Sequence, residues 1–136
     1  MSSIAIIAGK FHQAAVQKMI VQAGQTAEVL GLRIVQTIWV PGSFEVPLAL
    51  QQILETGEVD GVVLLGIIER GETKHGLVMA QAVYPEVIRL QLKYKKPVGI
   101  GVIGPEVLPE QIEPRLLPHA KSAVEAVGTM LGLLAK

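Results

Sequence analysis

Four short apolar runs alternate along the chain with longer segments of helical spacing, and this alternation limits the fold more than any other feature. The apolar runs predict strands over residues 4–8, 33–40, 61–66 and 98–103. The segments between them predict helices over residues 12–30, 44–55, 73–94 and 121–134, with one short helix in the proline-containing stretch 105–118. Strands that are apolar on both faces are typical of a parallel sheet covered on both sides. The sequence therefore predicts a doubly wound α/β sheet of four parallel strands with helices on both faces, in a single domain spanning residues 1–136.

Three residues add local detail to this prediction. Gly31 predicts the end of the first helix, and Ser43 predicts the N-cap of the second. Pro85 lies inside the longest predicted helix. We expect it to kink or split that helix, because proline removes a backbone donor and its ring clashes with the preceding turn.

The composition excludes several classes of function. Lys+Arg and Asp+Glu both number 12, so the formal net charge is zero, which argues against a nucleic-acid partner. No uninterrupted apolar stretch is long enough for a membrane span, and no signal-peptide pattern is visible. Cysteine is absent, which removes disulfides, thiol catalysis and cysteine metal sites. We therefore expect a cytoplasmic globular protein that binds neither nucleic acid nor membrane.

Two further features of the composition concern the source and the assembly. The chain has no Asn or Cys and a single Asp, Asp60, and loss of thermolabile residues is typical of proteins that work hot. Hydrophobic residues make up 50% of this short chain. Small domains have a large surface relative to their volume, so such an excess favours burial between subunits. The composition thus predicts a thermophilic source and an oligomer.

The residues best suited to catalysis or ligand binding follow the ends of the predicted strands, where ligands bind in doubly wound sheets. They lie in the loops 9–12, 41–45, 66–75 and 104–109. The third loop leads from an apolar strand into a helix N-terminus, which is a favourable place for an anion. His75 follows this loop and is either a proton carrier or a helix-surface histidine. Glu72 lies three residues before it, but with no cysteine nearby we expect no metal.

Several more residues leave two interpretations open. Phe11 follows the first strand and either stacks on a planar ligand or packs against the next helix. Glu45 brings a carboxylate to the start of the second helix, where it contacts a ligand or only complements the helix dipole. Arg115 and Lys121 are either anion ligands or solvated surface residues.

Taken together, these motifs resemble the lumazine synthase (6,7-dimethyl-8-ribityllumazine synthase) family over almost the whole chain. The strings that carry the resemblance are GKF at 9–11, VPGSFEVP at 40–47, DGVVLLG at 60–66, RGETKH at 70–75 and KSAVEA at 121–126. The resemblance also includes single residues, namely Pro97, Val98, Gly101, Glu110, Gln111 and Arg115. The resemblance implies a flavodoxin-like version of the doubly wound fold. Gly104 and Pro105 after the fourth strand make the chain most similar to the short archaeal form.

The resemblance implies a reaction of riboflavin biosynthesis that uses neither a cofactor nor a metal. A transferase of this family condenses 5-amino-6-(D-ribitylamino)uracil with 3,4-dihydroxy-2-butanone 4-phosphate and releases phosphate and two waters. Such chemistry depends on orientation and proton transfer, which fits a site without a strong nucleophile.

The resemblance also implies roles for individual residues. Phe11 would stack on the pyrimidine ring, and further contacts to the pyrimidine substrate are implied for Ser43, Phe44, Glu45, Ile67, Ile68, Glu69 and Ile100. The phosphate would bind the backbone of Glu72 and Thr73 and the side chain of Arg115. The implied catalytic residues are the proton carrier His75, Arg115 and Lys121, which corresponds to a basic residue near the site.

In this family the active site lies between subunits. The fourth-strand residue, here Ile100, comes with Arg115 and Lys121 from the neighbouring subunit. Family members form pentamers, and some assemble twelve pentamers into a 60-subunit icosahedral shell. The sequence leaves both assemblies open.

Four positions depart from the family pattern. Pro85 is unusual inside the long predicted helix. His12 replaces the usual Asn, Glu69 replaces an apolar residue, and Ile100 replaces the aromatic residue of many members. The last two motivate a competing hypothesis in which the chain is a non-catalytic, shell-forming scaffold, natural or engineered.

A related enzyme and a flavin carrier of similar shape also compete with the synthase. Archaeal riboflavin synthase typically lacks the Phe-Glu pair and the RGxTxH string, and both are present here. A flavodoxin-type carrier needs a Ser/Thr-rich phosphate loop after the first strand, which residues 9–12 do not provide. Both hypotheses therefore fit the sequence less well than the synthase does.

Overall fold

The computed structural model describes residues 1–136 and has the predicted doubly wound α/β architecture. The strands are β1 (Ser3–Gly9), β2 (Arg33–Val40), β3 (Gly61–Glu69) and β4 (Val98–Val107). The helices are α1 (Gln13–Leu30), α2 (Val46–Thr56), α3 (His75–Tyr94), α4 (Pro109–Ile112) and α5 (Leu116–Leu134). All strand pairs are parallel, and the order β2-β1-β3-β4 is that of flavodoxin-like sheets.

A separate hydrophobic core lies on each face of the sheet. The core between the sheet and helices α1 and α5 contains Ile6 and Leu65, and the core beneath α2 and α3 contains their neighbours Ile7 and Leu64. Successive side chains of a strand point to opposite faces, so a strand covered on both sides must be apolar at every position. This is why β1 and β3 appear in the sequence as continuous apolar runs.

Strand β4 lies at the edge of the sheet, and α5 packs directly on its backbone. A Cβ atom at Gly99 would overlap the carbonyl oxygen of Ala123, and one at Gly101 would lie 2.9 Å from the carbonyl oxygen of Leu64. Glycine at these two positions lets the helix and the neighbouring strand approach closely. The packing therefore depends on the absence of a side chain at Gly99 and Gly101.

We expect Gly99→Ala to destabilise the protein by about 2–3 kcal/mol, because the atoms in the way belong to a backbone that cannot rotate aside. Denaturant unfolding at a fixed protein concentration measures the effect. Gly24→Ala is the control, since a Cβ there has nothing within 4 Å, and alanine in a helix stabilises by up to about 1 kcal/mol. Equal midpoints for Gly99→Ala and the wild type would show that α5 does not pack on β4 as described.

The structure differs from the sequence predictions at several element boundaries. Ser43 is not an N-cap: it lies inside a 3₁₀ turn, Ser43–Glu45, and α2 starts after that turn without a side-chain cap. The third strand runs on to Glu69 and the fourth to Val107, so the two strands stay paired beyond the predicted ends. The last helix starts earlier than predicted, at Leu116. Pro118 falls in its first turn, where a missing N–H costs little.

Pro85 does not split α3, which is continuous from His75 to Tyr94. Buried residues lie on both sides of the proline, among them Val83 and Val87, while Pro85 itself is exposed. Packing of the apolar face on the sheet therefore holds both halves in one helix despite the lost hydrogen bond. None of the helices combines the length and apolar character that a bilayer crossing requires.

Candidate active site

The carboxyl ends of β1, β2 and β3 surround a cavity of about 460 Å³. Parallel strands end at one edge of the sheet, so the segments that follow them meet there. The start of α3 closes one side of the cavity. Of the predicted site residues, the following seven line it: Phe11, Ser43, Ile67, Ile68, Glu69, Thr73 and His75.

The turn after β2 brings an aromatic ring to the histidine of α3. The rings of Phe44 and His75 meet edge to face, with centroids 5.9 Å apart and an interplanar angle of 67°. Phe44 is 51% exposed and Phe11 is 56% exposed, so both rings are open to a ligand. Glu45 is exposed on the same 3₁₀ turn. The backbone N–H of Lys10 donates to the carbonyl of Val40 at 2.9 Å and ties the loops after β1 and β2 together.

The segment before α3 provides free backbone donors. The N–H groups of Glu72 and Thr73 donate to no other backbone group, and both residues are exposed. The Thr73 hydroxyl accepts from the N–H of His75 at 3.3 Å. Gly76 lets the helix approach the end of β3, because a Cβ there would lie 3.0 Å from the carbonyl oxygen of Glu69. The start of a 20-residue helix beside the cavity thus has the features of an anion site.

Residues 2–135 match the sequence model of a protein family described as 6,7-dimethyl-8-ribityllumazine synthase. The chain belongs to the lumazine synthase family. The membership makes it a transferase of riboflavin biosynthesis. It also favours the synthase over a riboflavin synthase and over a flavodoxin-type carrier.

Individual relatives agree with the family match. The 6,7-dimethyl-8-ribityllumazine synthase of Staphylothermus marinus is 37% identical over 131 residues, covering 96% of this chain and 87% of the relative. That of Picrophilus torridus is 36% identical over 134 residues, covering 98% of both chains. That of Methanopyrus kandleri is 37% identical over 128 residues, covering 94% of this chain and 90% of the relative. The archaeal and thermophilic sources of such relatives agree with the expected archaeal-like form and thermophilic character.

Six expected site residues do not line the cavity. Phe44, Glu45 and Glu72 are adjacent in the chain to residues that do, whereas Ile100, Arg115 and Lys121 lie on other elements. Ile100 is 37% exposed on the edge strand β4. Arg115 is exposed and donates from Nη1 to the carbonyl of Gln111 at 2.8 Å. It lines a second hollow of about 220 Å³ beside the end of β4. Lys121 is exposed on α5. One chain therefore does not bring the last three residues together with His75.

Several residues that line the cavity were not among the predicted site residues, for example Gly76, Met79 and Val102. Met79 lies one helical turn after His75, so helical spacing could have identified it. Val102 lies two residues after Ile100 on β4, and its place at the cavity depends on the register between β3 and β4. No local pattern indicates that register.

The charged groups of the site are few. Glu69 is the only acidic or basic side chain among the cavity-lining residues apart from His75, and its Oε2 lies 3.2 Å from Nε2 of His12. No group of three or more His, Asp or Glu side chains is arranged to hold a metal ion. Outside the cavity lining, the Tyr84 hydroxyl donates at 3.0 Å to the carbonyl of Gly104, which lines the second hollow. Burial raises the pKa of Tyr84 to about 12, so the phenol keeps its proton beyond the pH at which a free tyrosine loses it.

Proposed function

We propose that the chain condenses 5-amino-6-(D-ribitylamino)uracil with 3,4-dihydroxy-2-butanone 4-phosphate in the cavity at the carboxyl end of the sheet. The products are 6,7-dimethyl-8-ribityllumazine, phosphate and two waters. One observation carries the proposal: an exposed aromatic ring, a helix start with free N–H groups and His75 surround the same cavity. This combination provides for a planar ring, a phosphate and a proton transfer in one place.

The pyrimidine end of the cavity follows β1 and β3. The exposed ring of Phe11 supplies a face on which a heterocycle can stack. Ile67 and Ile68 supply apolar walls, being 4% and 2% exposed. The 3₁₀ turn supplies Ser43, Phe44 and Glu45 for the polar ribityl chain. Hydroxyl and carboxylate groups suit a polyhydroxylated chain because they can exchange hydrogen bonds with it.

The phosphate end of the cavity is the start of α3. The N–H groups of Glu72 and Thr73 and the helix dipole both favour a negative charge there. The planar guanidinium of Arg115 suits bidentate binding of the same phosphate. The phosphate group would thereby be neutralised before it leaves as inorganic phosphate.

His75 is placed to move protons during the condensation. Forming the two carbon–nitrogen bonds of the new ring removes protons from nitrogen and loses two waters, so a group must accept and return protons. An imidazole changes charge near neutral pH and suits this task. The edge contact with Phe44 orients the ring of His75 beside the cavity. Most of the acceleration would come from holding the two substrates together.

We propose that Ile100, Arg115 and Lys121 act in the site of a neighbouring copy of the chain. All three residues are exposed, and Arg115 lines a hollow separate from the cavity. Both observations support this arrangement. Large exposed apolar side chains on several elements, such as Val29, Leu48 and Leu92, fit burial in an assembly. A ring of copies would complete every site, as a pentamer or as part of a 60-subunit shell. The cytoplasm, favoured by a chain without cysteine, is the proposed compartment.

An absorbance assay tests the proposed function. Purified protein is mixed with both substrates, and the lumazine chromophore is followed against the uncatalysed background. We expect lumazine to form faster than the background, with one phosphate released per lumazine. A folded, oligomeric protein that gives no acceleration would contradict the proposal and support the non-catalytic scaffold instead.

A further inference from the structure

One carboxylate of the cavity is fixed by a residue outside the cavity lining. The Nε2 of His12 lies 3.2 Å from Oε2 of Glu69, although 57 positions separate the two residues in the chain. A carboxylate oxygen accepts hydrogen bonds, so His12 donates through Nε2. The side chains of His12 and Glu69 are 33% and 22% exposed, so the contact is at the rim of the cavity and partly shielded from water.

The backbone and a neighbouring ring both hold His12 in place. His12 lies just before α1 with φ 58° and ψ 48°, a left-handed conformation that few non-glycine residues adopt, histidine being among the more tolerant. Its ring packs edge to face on Phe11 with centroids 4.4 Å apart. Phe11, His12 and Glu69 thus form one connected group in which the aromatic face and the carboxylate have a fixed relation.

Glu69 differs chemically from the rest of the cavity. It is the only carboxylate among the cavity-lining residues, and its neighbours Ile67 and Ile68 are apolar and buried. His12 occupies Oε2, which leaves Oε1 able to accept from a molecule in the cavity. A negatively charged acceptor beside a stacking surface suits a planar ring that carries N–H donors on its edge.

We propose that Glu69, positioned by His12, binds a ring N–H of the pyrimidinedione and so determines which substrate occupies the Phe11 end of the cavity. This inference rests on the proposed function. A uracil ring has N–H donors next to its carbonyl groups, so it can stack on Phe11 while its edge donates to Oε1. The same negative charge repels the phosphate of the second substrate, which favours its binding at the start of α3. Glu69 is thus a specificity-determining residue, and His12 is a positioning residue.

Steady-state kinetics of Glu69→Ile tests the inference. We expect the KM for the pyrimidine amine to rise by about tenfold or more, because a hydrogen bond to a charged acceptor is lost. The KM for the butanone phosphate should not rise, and kcat should change less than about threefold. Glu69→Gln keeps the shape and a weaker acceptor, so its KM should lie between those of the wild type and Glu69→Ile. Calorimetric titration with the pyrimidine amine alone should give the same ranking of Kd.

Two controls separate this role from a structural one. Glu58→Gln changes an exposed glutamate at the opposite end of β3 and should leave both KM values unchanged. His12→Asn suits the left-handed backbone and should raise the KM for the pyrimidine amine severalfold in the wild type. It should have no further effect in Glu69→Ile, since positioning residues act only through the group they position.

Specific results would overturn the inference. An unchanged or lower KM and Kd for the pyrimidine amine in Glu69→Ile would show that the carboxylate does not bind this substrate. Additive effects of His12→Asn and Glu69→Ile would show that His12 does not act through Glu69. A wild-type chain that makes no lumazine contradicts the proposed function, while the calorimetric ranking still decides the inference because binding needs no turnover.

Discussion

Replacing Arg115 with alanine is expected to raise the KM for the butanone phosphate by about 10²-fold, because a bidentate, charge-assisted contact to phosphate is lost. One guanidinium donor, Nη1, binds the carbonyl of Gln111 at 2.8 Å and orients the group. The remaining N–H donors are available to a phosphate. The KM for the pyrimidine amine should change little, since that substrate carries no phosphate. Steady-state kinetics with each substrate varied in turn measures both constants.

Two further variants separate phosphate binding by Arg115 from a general effect of removing an arginine. Arg115→Lys keeps the charge but loses the planar fork, so its KM should lie between those of the wild type and Arg115→Ala. Arg89→Ala removes another exposed arginine, whose side chain pairs with Glu86 on the surface of α3 at 2.7 Å, and it should leave both KM values unchanged. If Arg115→Ala affects the two substrates equally, the residue does not bind phosphate.

Replacing His75 with alanine is expected to lower kcat by about 10²-fold, the typical contribution of a positioned general acid or base. Both KM values should remain close to those of the wild type, because the substrate contacts proposed here come from other residues. Activity should remain measurably above the uncatalysed background, since proximity of the substrates survives the change. Single-turnover kinetics would check that the chemical step, and not product release, is affected.

A different result would assign another role to His75. If kcat is unchanged in His75→Ala and only a KM rises, the histidine is a binding residue whose contact with Phe44 shapes the cavity. Circular dichroism and size-exclusion chromatography show whether the variant keeps the fold and the oligomeric state of the wild type. His75 is exposed at the first position of α3, so its removal leaves no buried cavity.

The strands and their arrangement could be predicted from the sequence because strands buried on both faces appear in it as continuous apolar runs. Strand β1 is buried on both faces and is apolar at nearly every position. The ends of the elements were less predictable. β3 runs on to Glu69 because it stays paired with β4, whose Val107 lies opposite Glu69. From the sequence, a charged residue at the end of an apolar run indicates the start of a loop. Only the pairing with the neighbouring strand shows that the strand continues through it.

The candidate site was predictable in outline for a geometric reason. Loops after parallel strands converge, so residues such as Phe11 and His75 could be assigned to one region before the structure was known. The contacts between side chains could not. The His12–Glu69 pair and the Phe44–His75 contact join residues 57 and 31 positions apart, and the first also involves the left-handed backbone of His12. No spacing rule in the sequence encodes such contacts.

We propose that each active site combines His75 of one copy with Arg115 of the next. Co-expression of His75→Ala and Arg115→Ala chains tests this arrangement, with lumazine formation measured at a low concentration of the butanone phosphate. If the residues come from different copies, random assembly at equal amounts leaves about one site in four with both residues intact, so about a quarter of wild-type activity should return.

Mixing the two variants after separate assembly is the control, and it should restore nothing while the assemblies do not exchange subunits. Activity of the co-assembled protein no higher than the mean of the two separate variants would contradict the shared site. It would show that His75 and Arg115 do not meet across a subunit boundary.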